Sequence, residues 1–328
     1  MSRTHSLSIV IPVYQGRTTL ERVLAELSYL RDIQISPGGA QFQMEEVLLV
    51  DDRGPDESAD LIRILATKFE WIVPVWLTRN FGQHAATLAG MASSRGDWIV
   101  TIDEDGQHDP KTIGALLDTA LDQRSQVVYG VSASAPPHGF ARNIFSRVTK
   151  EFVSAILTGG EVKNFSSFRL MVGSLGRSLA AYTTSNVYLD VAISWVAQDI
   201  TYCAVNTRQE FRKRSGYSRR ALLSHFFRLV LSAGTRPLRL AAVIGIVSSL
   251  SGVLFALTIA VLRFVNGFAV TGWASLFSLV LVVGGLILLI LGILAEYLGV
   301  VVRTSLGRPI YVIGDDLHLG PQYDRSKK

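Results

Sequence analysis

Residues 98–110 read Trp98-Ile99-Val100-Thr101-Ile102-Asp103-Glu104-Asp105-Gly106-Gln107-His108-Asp109-Pro110, a strand-forming run that passes directly into an acidic turn. A short apolar run closed by turn residues reads as a buried strand. The next segment reads as a helix start, with Asp109 as N-cap and Pro110 in the first helical position. Ile113, Leu116, Leu117 and Leu121 then recur at the spacing of one helix face.

Outward from this unit the same alternation repeats. Leu7–Val13, Val47–Asp51, Ile72–Leu77 and Val127–Tyr129 are further candidate strands, nearly continuous in apolar character, as strands covered on both faces are. Between them lie helical patterns. Leu20, Val23, Leu24, Leu27 and Leu30 share one face, and Thr18 with Glu21 predicts a capping box ahead of them. The expected architecture is α/β, a doubly wound, mostly parallel sheet. In such sheets ligands bind beyond the carboxyl ends of the strands.

Composition adds a membrane. Of 328 residues 48% are hydrophobic and 18% charged, and a mean hydropathy of +0.31 is too apolar for an ordinary soluble enzyme of this size. Residues 240–262 and 273–295 carry no charge, and each run matches the roughly 20 residues that cross the hydrocarbon core. Joined by Arg263–Gly272, they predict a two-helix hairpin. Residues 201–239 hold nine Arg or Lys against Glu210 alone, a net of +8 that leaves −3 for the rest of the chain. Such a collar suits anionic headgroups, and residues 219–235, with Leu222, Leu223, Phe226 and Phe227 among basic residues, predict an interfacial helix. Arg236, Arg239, Arg303 and Arg308 flank the spans, while the connection has Arg263 alone, so both chain ends are expected in the cytoplasm. Leu7–Val13 is too short for a signal peptide. The single Cys203 excludes an internal disulfide and a Cys-based zinc site.

The expected organisation is therefore a catalytic domain over 1–215, a basic juxtamembrane region over 216–239, spans at 240–262 and 273–298, and a cytoplasmic tail over 299–328. The expected location is the inner membrane.

Three strand ends carry polar groups: Pro12-Val13-Tyr14, Asp51-Asp52-Arg53-Gly54, and the Asp103–Asp109 turn. No GxGxxG follows a strand and no GxxxxGK[ST] occurs, which excludes a dinucleotide fingerprint and a P-loop. An Asp-x-Asp at a strand end suits a hard divalent cation, Mg²⁺ or Mn²⁺, that completes its shell with water and substrate phosphate oxygens. Nothing points to nucleic acid. His84 and His108 read as packing or capping residues.

Ile9–Tyr14, Val50-Asp51-Asp52, Thr78-Arg79-Asn80-Phe81-Gly82 and Asp103–Pro110 resemble, in order, the motifs of family 2 inverting glycosyltransferases with a GT-A fold. Phe168-Arg169-Leu170, Gly216-Tyr217-Ser218-Arg219 and Pro237-Leu238-Arg239 extend the resemblance to the polyprenyl-phosphate sugar transferases. It implies transfer of a sugar from a UDP- or GDP-linked donor to a polyprenyl phosphate, such as undecaprenyl phosphate, with inversion. By the same resemblance Pro12, Tyr14, Asp51 and Asp52 would line base and ribose, with Arg79 nearby. Asp103, Asp105 and Gln107 would hold metal and diphosphate. Arg169, Arg212, Lys213, Arg214, Ser218 and Arg219 would meet the phosphates of donor and acceptor. Homo-oligomers are compatible with it.

The chain departs from that pattern at Gln15-Gly16, where many relatives have Asn-Glu, at Ser132, where Arg is common, and at Lys213, where Arg is usual. Ser167 stands where many relatives have Asp. The last loss is chemically tolerable, because a phosphate monoester with a second pKa of about 6 is already a dianionic nucleophile at neutral pH. Rival readings are a glycosyltransferase acting on a glycerolipid and a noncatalytic membrane scaffold. A processive polysaccharide synthase is disfavoured by the absence of Gln-x-x-Arg-Trp.

Overall fold

The computed structural model describes residues 3–132, 165–183, 188–206, 208, single positions between 243 and 264, 273–307 and 309–316. Its strands are β1 (His5–Val13), β2 (Gln34–Ile35), β3 (Gln41–Asp51), β4 (Ile72–Leu77), β5 (Trp98–Thr101), β6 (Val127–Ser132), β7 (Arg169–Val172), β8 (Ile200–Val205) and β9 (Ile313–Gly314). The helices are α1 (Leu20–Leu27), α2 (Ser58–Lys68), α3 (Gln83–Ser93), α4 (Ile113–Asp122), α5 (Gly173–Tyr182), α6 (Leu189–Val196) and α7 (Trp273–Ser305).

All five expected strands are present, and they join one sheet in the order β8-β6-β7-β5-β1-β3-β4-β9, with β2 paired to β3. The block β5-β1-β3-β4 is parallel. Beyond it the sheet is mixed: β7 runs antiparallel to both β5 and β6, and β9 antiparallel to β4. Strand periodicity divides the core between two faces. Leu7, Ile9, Ile11 and Val13 pack with α1, α2 and α4, whereas Val10, Leu48 and Val50 pack with α3, α5 and α6.

The α1 stripe is buried as its spacing predicts. The capping box is not formed. Thr19, not Thr18, is the N-cap and makes no side-chain cap bond. The amides of Gly16 and Arg17, ahead of the helix, bond instead to Ser58 Oγ (2.9 Å) and Asp56 Oδ2 (3.1 Å) near the start of α2. Asp109 does cap, accepting from the Lys111 amide at 3.0 Å with Pro110 at the first position.

Among the described residues one helix, α7, is long and apolar enough to cross a membrane, with a window at Val282–Gly299 of mean hydropathy 2.2 and no buried residue. The second expected span thus continues as helix to Ser305. Most of the loop after β6, the basic segment from 209 and the interfacial helix over 219–235 lie outside the described residues. So does much of 240–262, whose described positions are helical and whose Val243, Ile246, Leu250 and Leu254 are exposed. A side chain at Gly245 would lie 3.8 Å from Ile290 of α7. Within the tail expected over 299–328, β9 belongs to the sheet.

Candidate active site

The parallel register places the polar strand ends side by side. Val13 is level with Asp51 across β1 and β3, and Val10 with Thr101 across β1 and β5. The amides of Tyr14 and Gln15 then donate to the Glu104 carboxylate at 2.9 and 3.0 Å, which ties the end of β1 to the acidic turn. A Cβ on Gly54 would fall 1.5 Å from the Tyr14 carbonyl oxygen. Only glycine lets the Asp51–Gly54 turn close on β1, leaving the Tyr14 ring partly exposed above it.

Asp103 is held by two neutral donors. Gln83 Nε2, at the start of α3, donates to its Oδ1 at 2.6 Å, and Ser167 Oγ donates to its Oδ2. Asp105 accepts from the Gln107 amide at 3.0 Å. Burial raises the Asp105 pKa, the Gln107 amide opposes this, and the charge of Asp103 raises it further. His108 stacks on Phe168 with ring centroids 5.0 Å apart, and its Nδ1 accepts from the Asp103 amide at 3.3 Å. Burial lowers its pKa against the pull of Asp103 and Asp105, which suits a neutral packing histidine. His84 likewise packs on Tyr188, with centroids 3.9 Å apart.

The donor chemistry fits a divalent cation. Two half-buried carboxylates, of which Asp103 pushes Asp105 toward the neutral form, are relieved by a positive charge beside them. No group of three His, Cys, Asp or Glu is poised for a metal among the described residues. The remaining coordination would thus fall to a ligand's oxygens and water.

Two expected site residues are engaged within the protein. Both oxygens of Asp52 are taken by backbone amides, Phe81 at 2.7 Å and Gly82 at 2.9 Å. Asp52 therefore shapes the approach to α3. Arg169 is 3% exposed and paired within the protein. Its NH1 pairs with Asp190 at 2.5 Å and its Nε donates to Thr101 Oγ1 at 3.1 Å, while Tyr129 OH donates to the same Asp190 at 3.0 Å. The guanidinium satisfies a buried carboxylate that would otherwise be costly. Thr101 Oγ1 in turn donates to the Ser167 carbonyl at 2.5 Å, so this network supports the residue that holds Asp103.

Of the others, Asp51 is buried beside Arg53 and Arg63, Pro12 lies within β1, and Arg79 is exposed with its guanidinium 4.5 Å from the Phe81 ring centroid. Arg212, Lys213, Arg214, Ser218 and Arg219 lie outside the described residues. Sequence reasoning missed Arg208. Its amide donates to the Gln107 carbonyl at 2.9 Å, and its guanidinium bridges Glu26 at 2.5 Å and Asp109 at 2.6 Å. The basic segment thus departs from the acidic turn itself, a fact that collar composition signalled only in charge.

Known proteins resemble the chain along most of its length. The profile of glycosyl transferase family 2 matches residues 8–176. An undecaprenyl-phosphate 4-deoxy-4-formamido-L-arabinose transferase of Photorhabdus laumondii subsp. laumondii is 30% identical over 326 residues, covering 94% of this chain and 95% of the relative. One of the same description from Pseudomonas aeruginosa is 32% identical, covering 94% and 89%. Among solved structures, glucosyl-3-phosphoglycerate synthase from Mycobacterium tuberculosis is 18% identical with a TM-score of 0.48, covering 70% of this chain and 79% of that one, a likeness too remote to argue from.

Proposed function

The chain belongs to glycosyl transferase family 2, and we propose that it transfers a sugar from a nucleotide diphosphate sugar to undecaprenyl phosphate at the cytoplasmic membrane face, inverting the anomeric centre. The observation that carries this reading is likeness to undecaprenyl-phosphate sugar transferases along 94% of the chain.

Asp103 and Asp105, with Gln107, would hold Mg²⁺ or Mn²⁺, which when bound neutralises charge on the departing diphosphate. The protein's own residues position. Gln83 and Ser167 orient Asp103, Glu104 fixes Tyr14 beside it, and Asp51 with the exposed Arg79 flanks the nucleotide side. The acceptor's phosphate supplies its own nucleophilic oxygen and needs no strong base, which is consistent with Ser167 at a position where many relatives carry Asp. Arg212, Lys213, Arg214, Ser218 and Arg219 would draw that phosphate in. Arg208, bonded to Gln107, brings the start of the basic segment to the acidic turn.

Membrane topology follows from parity. The ends of the segment 206–312 join β8 and β9, strands of one sheet, so the chain must return to the side it left. If α7 crosses once, a second crossing falls within 206–272, where 240–262 is the one charge-free run of sufficient length. The inner-membrane hairpin is proposed on that ground.

The test offers membranes containing the protein a labelled donor with undecaprenyl phosphate, undecaprenol or diacylglycerol. Label should enter the phosphate-bearing lipid alone, at a rate rising through pH 6 as the acceptor ionises. Efficient glycosylation of undecaprenol or diacylglycerol would replace this acceptor with another.

A further inference from the structure

The chain does not end at its membrane helix. α7 closes on Gly307, whose φ of +63° is a left-handed turn that glycine accommodates, with the Leu306 amide bonded to the Val302 carbonyl at 2.9 Å. Only five residue steps then separate Ser305 from Ile310, at most about 18 Å of extended chain. Ile310 and Tyr311 pack on the core, the Thr78 amide donates to the Val312 carbonyl at 3.0 Å, and Ile313 and Gly314 pair with Leu77 and Trp76.

A two-residue strand is weakly specified in register and could slip. Here it is pinned. Arg63 of α2 meets Asp316 as a fork, Nε to Oδ2 at 2.6 Å and NH2 to Oδ1 at 2.8 Å, with its guanidinium 5.1 Å from the Trp76 ring centroid. The Asp316 side chain is 5% exposed, so the fork is shielded from water and resists a pull along the chain better than a surface pair would.

We infer that residues 309–316 are a strap that fixes the β4 edge of the catalytic domain to the membrane end of α7 and thereby sets the height of the active site above the headgroups. β4 and β5 are three strand spacings apart, about 14 Å. With eight residue steps from Ser305 to Ile313, at most about 28 Å, and one further strand spacing from β9 to β4, the acidic turn after β5 is held within roughly 48 Å of the helix end. An acceptor whose phosphate stays in the headgroup plane needs a site at a fixed distance, whereas a dissolved acceptor does not. This inference rests on the transfer reading given above.

The test inserts a flexible Gly/Ser segment between Gly307 and Arg308 of the full chain. The strap's docked residues stay intact, and roughly ten added residues lengthen the tether by about 17 Å. Transfer is measured in phosphatidylglycerol/phosphatidylethanolamine vesicles to embedded undecaprenyl phosphate, and in the same vesicles to water-soluble geranyl phosphate. Transfer to undecaprenyl phosphate should fall roughly tenfold as the effective concentration of site and lipid drops, with geranyl phosphate turnover kept within about twofold. Asp316→Ala, which unpins the strand, should shift the ratio in the same direction. Equal rates on both acceptors before and after insertion, or an equal loss on both, would overturn the strap. A parent chain that glycosylates neither phosphate would overturn the transfer reading, and the strap with it.

Discussion

Ser167 and Arg169 are two residues apart, yet their substitutions should fail in different currencies. Ser167 is a neutral donor to Asp103, worth about 0.5–1.5 kcal/mol. Ser167→Ala should therefore lower transfer up to about tenfold with little change in melting temperature. Arg169→Ala strands the buried Asp190 carboxylate and should cost about 3–5 kcal/mol of stability, read as a large drop in melting temperature. The reverse pattern would place Arg169 at the phosphates after all. Asp51 adds a pH signature. Burial raises its pKa to about 6, with Arg53 and Arg63 opposing. The folded chain then keeps a proton that the unfolded chain releases near pH 4, so this group is neutral to stability in acid and an increasing cost as pH rises to about 6. Asp51→Asn should flatten that part of the melting profile, and an unchanged slope would refute the shift. Residue types at strand ends were legible because turn acids break an apolar run. Their partners were not, since Asp190 and the Phe81 amide lie 21 and 29 positions from Arg169 and Asp52, and no local pattern encodes such pairs.

Elements with strong periodicity were legible and short ones were not. The α1 and α4 stripes are buried much as their spacing requires, with Leu121 only partly covered. β7 and β9, four and two residues long, draw their identity from neighbours in the sheet rather than from their own sequence. The same holds for the start of α3, where the Asp52 carboxylate gathers the Phe81 and Gly82 amides and so delivers Gln83 to Asp103. Asp52→Ala should release that turn at a cost of about 1.5–3 kcal/mol per charge-assisted bond lost. Hydrogen exchange at the two amides should accelerate accordingly, and unchanged protection would show that the turn stands without the carboxylate.

For the whole molecule, the sheet itself constrains the membrane. With β8 and β9 in one sheet, a tag within Arg263–Gly272 should be reachable from outside and a reporter after Lys328 from the cytoplasm. Both on one side would remove the hairpin. Hydropathy made the long apolar helix α7 legible, whereas the return of the chain to the sheet depends on the buried Arg63–Asp316 fork, whose partners are 253 positions apart. The central claim is that the Asp103–Asp105 turn moves a sugar onto a polyprenyl phosphate, and the mass of the lipid product tests it most directly. Membranes with the parent chain or the Asp105→Ala variant would receive undecaprenyl phosphate and a panel of nucleotide sugars. The account predicts one new species from the parent, undecaprenyl monophosphate bearing one glycosyl residue, and none from the equally folded variant. A glycosylated lipid lacking phosphate, or the same product from Asp105→Ala at the parental rate, would contradict it.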